Sequence, residues 1–256
     1  MSKTWKPNWS MPKGSLDGWA EDYERSRPGW PSGVVGVAAL PQTATVLDLG
    51  AGTGKLTRLL AAAFDRVIAV EPAAPMRQLL ASFCPEVAAL TGTAEAIPLP
   101  DASVDAVFVA QALHTFDEPR ALPEIARVLT AGASLVHMWN LPAGEWQPST
   151  AAAEAVLAER MPRVDYIPLD LGGPDAASGW QPGITNSPFE AFRATTFAHR
   201  QTLDREGVVA FYASMGWLAD LPDDERLPLL DSVRSCLDAG EYERAWEAHV
   251  HWARLR

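Results

Sequence analysis

The chain has 256 residues, of which 48% are hydrophobic and 21% are charged, enough for one large domain or for one domain with a lid. Its 21 lysines and arginines stand against 32 aspartates and glutamates, so the net charge is −11 and the long-range field repels a phosphate backbone. We therefore expect no nucleic acid partner.

Targeting and metal-binding signals are missing from the sequence. No apolar run has the length of a signal peptide or of a membrane span. Cys84 and Cys236 lie far apart without a CxxC motif or a histidine cluster, which argues against a disulfide framework and a structural zinc site. No set of clustered aspartates and asparagines indicates a magnesium site. We expect a cytoplasmic protein with no bound metal and no membrane contact; its oligomeric state stays open.

Strand and helix patterns alternate between residues 45 and 139. Strands are expected at 45–49, 67–70, 87–90, 104–110 and 134–139. Helices are predicted by apolar residues at helical spacing, which follow the first, second and fourth of these strands: Leu56, Leu59, Leu60, Ala63 and Phe64; Met76, Leu79, Leu80 and Phe83; Leu122, Ile125, Ala126 and Leu129. Such alternation predicts right-handed crossovers and a mainly parallel sheet covered on both faces.

The pattern loosens after Asn140. An alanine-rich helix is expected at 151–160, and five prolines and four glycines within 161–188 indicate a lid. A strand at 192–203, helices at 208–217 and 222–237, and a final strand in AWEAHVHWARLR follow. The predicted fold is a Rossmann-like, doubly wound, seven-stranded α/β sheet, mainly parallel with an antiparallel C-terminal strand. It comprises an N-terminal helical cover (1–40), a core (41–140), a lid or substrate insert (141–192) and a completion of the sheet (193–256).

The stretch VLDLGAGTG, residues 46–54, carries the strongest functional signal. Three glycines there link a strand to a helix, where backbone can approach a ligand closely and direct amide groups at it: Gly50, Gly52 and Gly54. The dinucleotide fingerprint needs a further glycine at the position of Lys55, and the P-loop pattern needs Ser or Thr at the position of Leu56. Both phosphate-binding interpretations are weakened, and a nicotinamide-linked oxidoreductase is disfavoured.

An acid, Glu71, ends the next strand seventeen residues after Gly54. A carboxylate at that place can accept both ribose hydroxyls of a nucleoside lying across the strand ends. The combination resembles the class I S-adenosylmethionine-dependent methyltransferases. In that family the acid binds the ribose, and the glycine loop takes the sugar and the methionyl portion.

The resemblance covers residues 19–140. EPAAPMRQLL and GTAEAIPLPDASVDAVFVAQALHTF are similar to the small-molecule, type 11 branch of the family. It implies S-adenosylmethionine as cofactor and S-adenosylhomocysteine as product. Residues implied to bind the cofactor are those of the glycine loop, those after the second strand, those edging the adenine and those lining the cleft: Gly50, Ala51, Gly52, Thr53 and Gly54; Glu71, Pro72 and Met76; Thr93, Ala94 and Glu95; Gln111 and Ala112.

Upstream, AEDYERSRPGWP resembles a family segment whose tyrosine and arginine close over the methionine carboxylate of the cofactor. These residues are Tyr23 and Arg27 by position, and a guanidinium suits a carboxylate. Local pairing of Arg27 is the alternative. Trp30 stands where the family has a tyrosine, which changes the details of this closure.

The expected acceptor side of the cleft departs from the family pattern. Thr115 replaces a large aromatic residue in the wall that faces the acceptor, and Thr93 stands where the family often has an aspartate. His114 is the candidate general base, because it lies just beyond the fourth strand and imidazole titrates near neutrality. A hydrogen-bonded wall histidine is the alternative.

The sequence favours a methyltransferase that acts on a small-molecule acceptor, including secondary metabolites, by in-line methyl transfer. No Asn/Asp-Pro-Pro-Tyr/Phe segment, the family signature for planar amines, follows the fourth strand. Two alternatives remain open because cofactor binding and methyl transfer are separable. One is an enzyme that uses bound S-adenosylmethionine for a cyclisation or rearrangement, and the other is a non-catalytic S-adenosylmethionine-binding partner protein.

Overall fold

A computed structural model describes residues 17–143, 150–158, 160 and 188–256. The predicted lid at 161–188 lies outside the described residues except for its last position, and so does the start of the predicted N-terminal cover, residues 1–16. Within the described stretches, no helix combines the length and the apolar character needed to cross a membrane.

Seven strands form one sheet, which confirms the predicted fold class. They are β1 (Thr45–Leu49), β2 (Arg66–Val70), β3 (Ala88–Leu90), β4 (Val104–Ala110), β5 (Leu129–Pro142), β6 (Arg193–Asp204) and β7 (Glu241–Arg254). Their order is β3-β2-β1-β4-β5-β7-β6. The strands from β1 to β5 pair in parallel, and the C-terminal strands are antiparallel. The carboxyl ends of β1, β2 and β4 therefore meet at one edge.

The helices of the described residues are α1 (Asp17–Ser26), α2 (Thr57–Ala63), α3 (Ala74–Phe83), α4 (Glu118–Val128), α5 (Ala151–Ala158), α6 (Arg205–Ala213), α7 (Gly216–Ala219) and α8 (Asp223–Ser235). Short 3-10 segments lie at Ser32–Ala38 and Leu113–Thr115. The single helix expected at 208–217 is two helices. Met215 between them has extended backbone angles, φ −75 and ψ 126, which end the helical hydrogen-bond pattern.

Strand β5 is longer than the six residues expected from the sequence. It begins at Leu129, which pairs with Val104, and the register shifts before Ser134 pairs with Ala106. Gly132 in this stretch has a φ of +74, a backbone conformation that interrupts regular pleating. The small residues around it carry no alternating apolar pattern, so the sequence gives no sign of the extension.

The chain divides into two compact units. Of the described residues, the sheet unit comprises Trp30–Leu141, 188–198 and Glu247–Arg256, and the helical unit comprises 17–29, 142–143, 150–158, 160 and His199–Trp246. Both units are discontinuous in sequence. The four segments expected from the sequence stay a prediction.

The sheet unit has a hydrophobic core on each face of its strands, because alternate residues of a strand point to opposite faces. In β1, Leu47 and Leu49 belong to one core while Val46 belongs to the other. The helical unit has its own core, built around Val208, Leu218 and Val233. The two-sided covering of β1 keeps this strand rigid where the glycine loop leaves it.

Candidate functional site

The glycine loop leaves β1 at its carboxyl end, in the sheet unit. Gly50, Gly52 and Gly54 all have left-handed backbone angles, with φ of +71, +58 and +86. A Cβ on Gly50 would lie 2.7 Å from the Cβ of Ala112, whereas a Cβ on Gly52 would meet no atom of the described residues within 4 Å. Packing and backbone conformation thus both require Gly50. Gly52 borders open space from which a ligand can reach the backbone.

Glu71 follows β2 and is 6% exposed. Its Oε2 accepts a hydrogen bond from the Gly52 N–H at 2.9 Å, and its Oε1 accepts one from the Ala73 N–H at 2.8 Å. Burial raises the pKa of this carboxyl, and the two backbone hydrogen bonds oppose that shift. Because a carboxylate oxygen has two lone pairs, each oxygen can accept one more hydrogen bond. Glu71 therefore holds the loop and can still accept from ribose hydroxyls.

Asp48 is a site residue that the sequence analysis left unassigned. It is fully buried, and its Oδ2 accepts a hydrogen bond from the Thr57 hydroxyl at 2.6 Å. Its Oδ1 is buried and has no hydrogen-bond partner among the described residues. Burial raises the pKa of Asp48 to about 7, and the negative charge of Glu71 also raises it. An acid inside a buried strand is unusual, and that signal could have identified Asp48 from the sequence.

The end of β4 lies against the glycine loop. Gln111 has a φ of +54, a strained conformation for a residue with a side chain. Its N–H donates to the Met138 carbonyl at 3.0 Å, and its Nε2 donates to the Asn140 carbonyl at 3.3 Å. These contacts hold the strained turn in place. Ala112, the next residue, lies against Gly50, so one of the predicted cleft residues adjoins the loop.

The 3-10 segment after β4 carries His114. Its ring lies 5.0 Å from that of Trp139, measured between centroids, with an interplanar angle of 43°. Thr115 is exposed, and its hydroxyl donates to the Ala112 carbonyl at 2.7 Å. An aromatic residue of β5 therefore adjoins His114, although position 115 lacks the aromatic side chain of the family. Within the described residues, no group of three or more His, Cys, Asp or Glu could hold a metal ion.

The remaining residues predicted to bind the cofactor also belong to the sheet unit. Those predicted to edge the adenine follow β3, two others follow β2, and two lie in the glycine loop. Thr93 is exposed, Ala94 is buried, and the Oε1 of Glu95 accepts a hydrogen bond from the Asp117 N–H at 2.8 Å. Pro72 is exposed and Met76 is buried. Thr53 is buried in the glycine loop and Ala51 is half-buried. Their contacts with a nucleoside stay predictions.

Tyr23 and Arg27 belong to the helical unit. The Nε of Arg27 donates to the Ser214 hydroxyl at 2.8 Å, and a terminal nitrogen donates to the Ser214 carbonyl at 3.0 Å. The guanidinium also lies 4.8 Å from the centre of the Phe211 ring. Arg27 is therefore held within the helical unit by residues distant in sequence, Ser214 and Phe211, and its local pairing stays an untested alternative. Its closure with Tyr23 over a cofactor carboxylate stays a prediction.

The chemistry of the loop suits a cation better than a phosphate. Two carboxyl groups, Asp48 and Glu71, flank the glycine loop and are close enough for the charge of one to raise the pKa of the other. A pyrophosphate beside two buried acids is electrostatically unfavourable, whereas a ligand with positive groups and ribose hydroxyls is favoured.

Comparison with known proteins agrees with this geometry. Residues 47–137 match the family model for a methyltransferase domain, type 11. An uncharacterized methyltransferase of Mycobacterium tuberculosis is 51% identical over 119 residues, covering 46% of this chain and 49% of the relative. A malonyl-[acyl-carrier protein] O-methyltransferase of Methylococcus capsulatus is 41% identical over 101 residues, which are 37% of each chain. The chain thus spans at most about half the length of these two relatives.

The fold is shared over a longer stretch. The solved structure of a protein assigned as a type II methyltransferase, from Anaeromyxobacter dehalogenans, aligns with a TM-score of 0.62. It covers 90% of this chain and 98% of the other at 22% identity, which shows a common fold. Residues 47–137 thus match the model of a methyltransferase domain of type 11, and the chain shares the Rossmann-like fold of a solved methyltransferase structure.

Proposed function

We propose that the chain is an S-adenosylmethionine-dependent methyltransferase with a small-molecule acceptor. The observation that carries this proposal is the glycine loop, which is open beside Gly52 and flanked by Asp48 and Glu71. The family model that residues 47–137 match supports it.

The residues present fit S-adenosylmethionine. Glu71 offers each ribose hydroxyl a carboxylate oxygen with a remaining lone pair. Asp48 offers a buried acceptor, Oδ1, whose desolvation is unfavourable unless a donor or a positive group satisfies it. The cofactor carries two such positive groups, its ammonium and its sulfonium. When bound, it supplies a methyl group on a positively charged sulfur.

The residues of the chain then have three tasks: to bind the cofactor, to align the acceptor and to exclude water. Ala112, just after β4, borders the loop at Gly50, and it and Gln111 would line the cleft toward the acceptor. His114 would accept a proton from an acceptor that must lose one, and Trp139 beside it would present an apolar surface. A wall histidine that only donates a hydrogen bond is the alternative role.

The proposed acceptor is a small molecule, with secondary metabolites included. The acidic chain argues against nucleic acid, and the similarity to a malonyl-[acyl-carrier protein] O-methyltransferase supports an acceptor carrying a small acyl group.

Calorimetric titration tests the cofactor. We expect the wild type to bind S-adenosylmethionine and S-adenosylhomocysteine but not NADH, and Glu71→Ala to abolish binding. Glu86→Ala, which removes an exposed acid of the same unit, is the matched control and should bind like the wild type. A wild type that binds neither sulfur ligand contradicts the proposal.

Formation of S-adenosylhomocysteine in an acceptor screen separates the remaining alternatives. Transfer of a labelled methyl group to an acceptor supports the methyltransferase. Conversion of an acceptor without loss of the methyl group would identify a cyclase or a rearranging enzyme. Tight cofactor binding with no turnover on any acceptor would favour a non-catalytic partner protein.

A further inference from the structure

A buried hydrogen bond joins β1 to the start of α2. The Thr57 hydroxyl donates to the Oδ2 of Asp48 at 2.6 Å, and both side chains are fully buried. Thr57 is the first residue of α2, but no side chain caps this helix. The hydroxyl of Thr57 is therefore used for Asp48 rather than for its own helix.

This bond leaves the two oxygens of Asp48 in different states. Oδ2 is satisfied by Thr57, whereas Oδ1 is buried with no partner among the described residues. The hydroxyl and the backbone N–H of Thr57 both donate to this carboxyl group, and together they restrict its rotation. The orientation of the unsatisfied oxygen thus depends on Thr57.

We propose that Thr57 is a positioning residue for the cofactor site: it fixes the Asp48 carboxylate so that Oδ1 binds a positively charged group of S-adenosylmethionine. This inference rests on the proposed function and extends it to a residue that does not itself touch the cofactor. The positively charged group of the cofactor would then be the partner of the buried Oδ1 of Asp48.

Because of the charged groups around Asp48, binding of the cofactor should be coupled to the release of the proton of its carboxyl group. Charged side chains on the elements next to β1 and in the adjoining loops are Lys55, Arg58, Asp65, Arg66, Glu71 and Asp105. Glu71 raises the pKa of Asp48, whereas the Thr57 hydroxyl lowers it. Asp105 acts at the other end of the strand, where its Oδ2 accepts from the Thr45 N–H, and Arg58 lies 4.8 Å from the Phe83 ring. A cationic ligand favours the ionised carboxylate and displaces its proton.

The experiment compares Thr57→Val, which keeps the shape but loses the hydroxyl, with Thr57→Ser, which keeps the hydroxyl. Each is titrated with S-adenosylmethionine and S-adenosylhomocysteine by calorimetry at pH 7, in two buffers that differ in ionisation enthalpy. The difference between buffers gives the number of protons released. We expect the affinity of Thr57→Val to fall about tenfold, the loss of one hydrogen bond to a charged group, and that of Thr57→Ser to stay near the wild type.

Proton release separates positioning from a merely structural role. The wild type should release protons on binding at pH 7, because the raised pKa of Asp48 leaves part of this carboxyl protonated in the free protein. Thr57→Val should release more, since the loss of the hydroxyl raises the pKa of Asp48 further, and Asp48→Asn should lose this release. In the Asp48→Asn background, Thr57→Val should have little further effect on affinity.

The possible outcomes are distinct. A wild type that binds neither ligand overturns the proposed function. A wild type that binds, with Thr57→Val equal to it in both affinity and proton release, overturns this inference alone. If Thr57→Val does not fold, Asp48→Asn and Thr57→Ser decide the question: unchanged proton release in Asp48→Asn, or strongly weakened binding in Thr57→Ser, contradicts the inference.

Discussion

The carboxylate of Glu71 holds the backbone of Gly52: the Gly52 N–H donates to Oε2 at 2.9 Å. This bond ties the residue after β2 to the middle of the loop after β1. Glu71 is thus both a candidate ribose ligand and a support of the loop that surrounds the ligand. Loss of its side chain should affect binding through both roles.

Substitution of the loop glycines should separate packing from ligand approach. Gly52→Ala places a methyl group in open space at a φ of +58, so we expect a loss of about 1 kcal/mol in the free energy of unfolding, together with weaker cofactor binding. Gly50→Ala should destabilise more, because its Cβ would lie 2.7 Å from Ala112. Urea denaturation and calorimetry on both variants check this order, and equal stability losses would contradict it.

Asp48 should make the protein less stable as the pH rises from about 4 to 7. Its pKa is raised to about 7 in the folded chain from 3.8, so over this interval the folded state binds the proton that the unfolded state has lost. The contribution is on the order of 1 kcal/mol per pH unit. Asp48→Asn should remove it, as measured by urea denaturation between pH 4 and pH 7. An unchanged pH profile in this variant would show that Asp48 is ionised throughout.

His137 should make the protein more stable as the pH rises from about 3 to 6.5, which is opposite to the effect of Asp48. Burial lowers its pKa to about 3, helped by the charge of His251, whose ring stacks on it at 4.9 Å with an interplanar angle of 4°. Between pH 3 and 6.5 the unfolded state binds the proton, so the stability contributed by His137 is lost on acidification. His137→Gln should flatten this dependence. His199→Gln, a half-buried histidine of the helical unit, is the control and should leave more of the dependence in place.

The contributions of Asp48 and His137 have opposite signs between about pH 4 and 6.5 and partly offset each other in the wild type. Asp48→Asn should therefore show a steeper loss of stability on acidification than the wild type. The double variant of Asp48→Asn and His137→Gln should depend less on pH than Asp48→Asn alone, and a double variant as pH-dependent as Asp48→Asn would exclude His137 as the source.

His114→Ala should separate cofactor binding from turnover. The residue lies on the 3-10 segment after β4, beside Trp139 and outside the glycine loop. We expect unchanged affinity for S-adenosylhomocysteine and a kcat reduced about 10² to 10⁴-fold for an acceptor that must lose a proton. His249→Ala is the matched control. Equal kcat values at all pH values would favour the wall role of His114.

The sequence predicted the parallel core well because its strands are short apolar runs, and the segments between them carry apolar residues at helical spacing. Its misses have particular causes. The Thr57 hydroxyl meets Asp48 only after the loop has folded back on itself, and the stacking of His137 on His251 joins strands that are far apart in sequence. The break at Met215 depends on backbone angles within an apolar stretch that reads as one helix. The pattern of apolar residues in a sequence indicates which residues are buried. It does not indicate which buried polar groups form hydrogen bonds or stack on one another.

The close approach of Gly50 to Ala112 constrains how this domain can diverge. A space that cannot hold one extra carbon at position 50 also leaves little freedom for a larger side chain at position 112. Substitutions at these two positions should therefore be coupled during evolution, with growth at one requiring shrinkage at the other or an outward shift at the end of β4. Libraries that vary both positions together should yield folded proteins that neither single-site library contains.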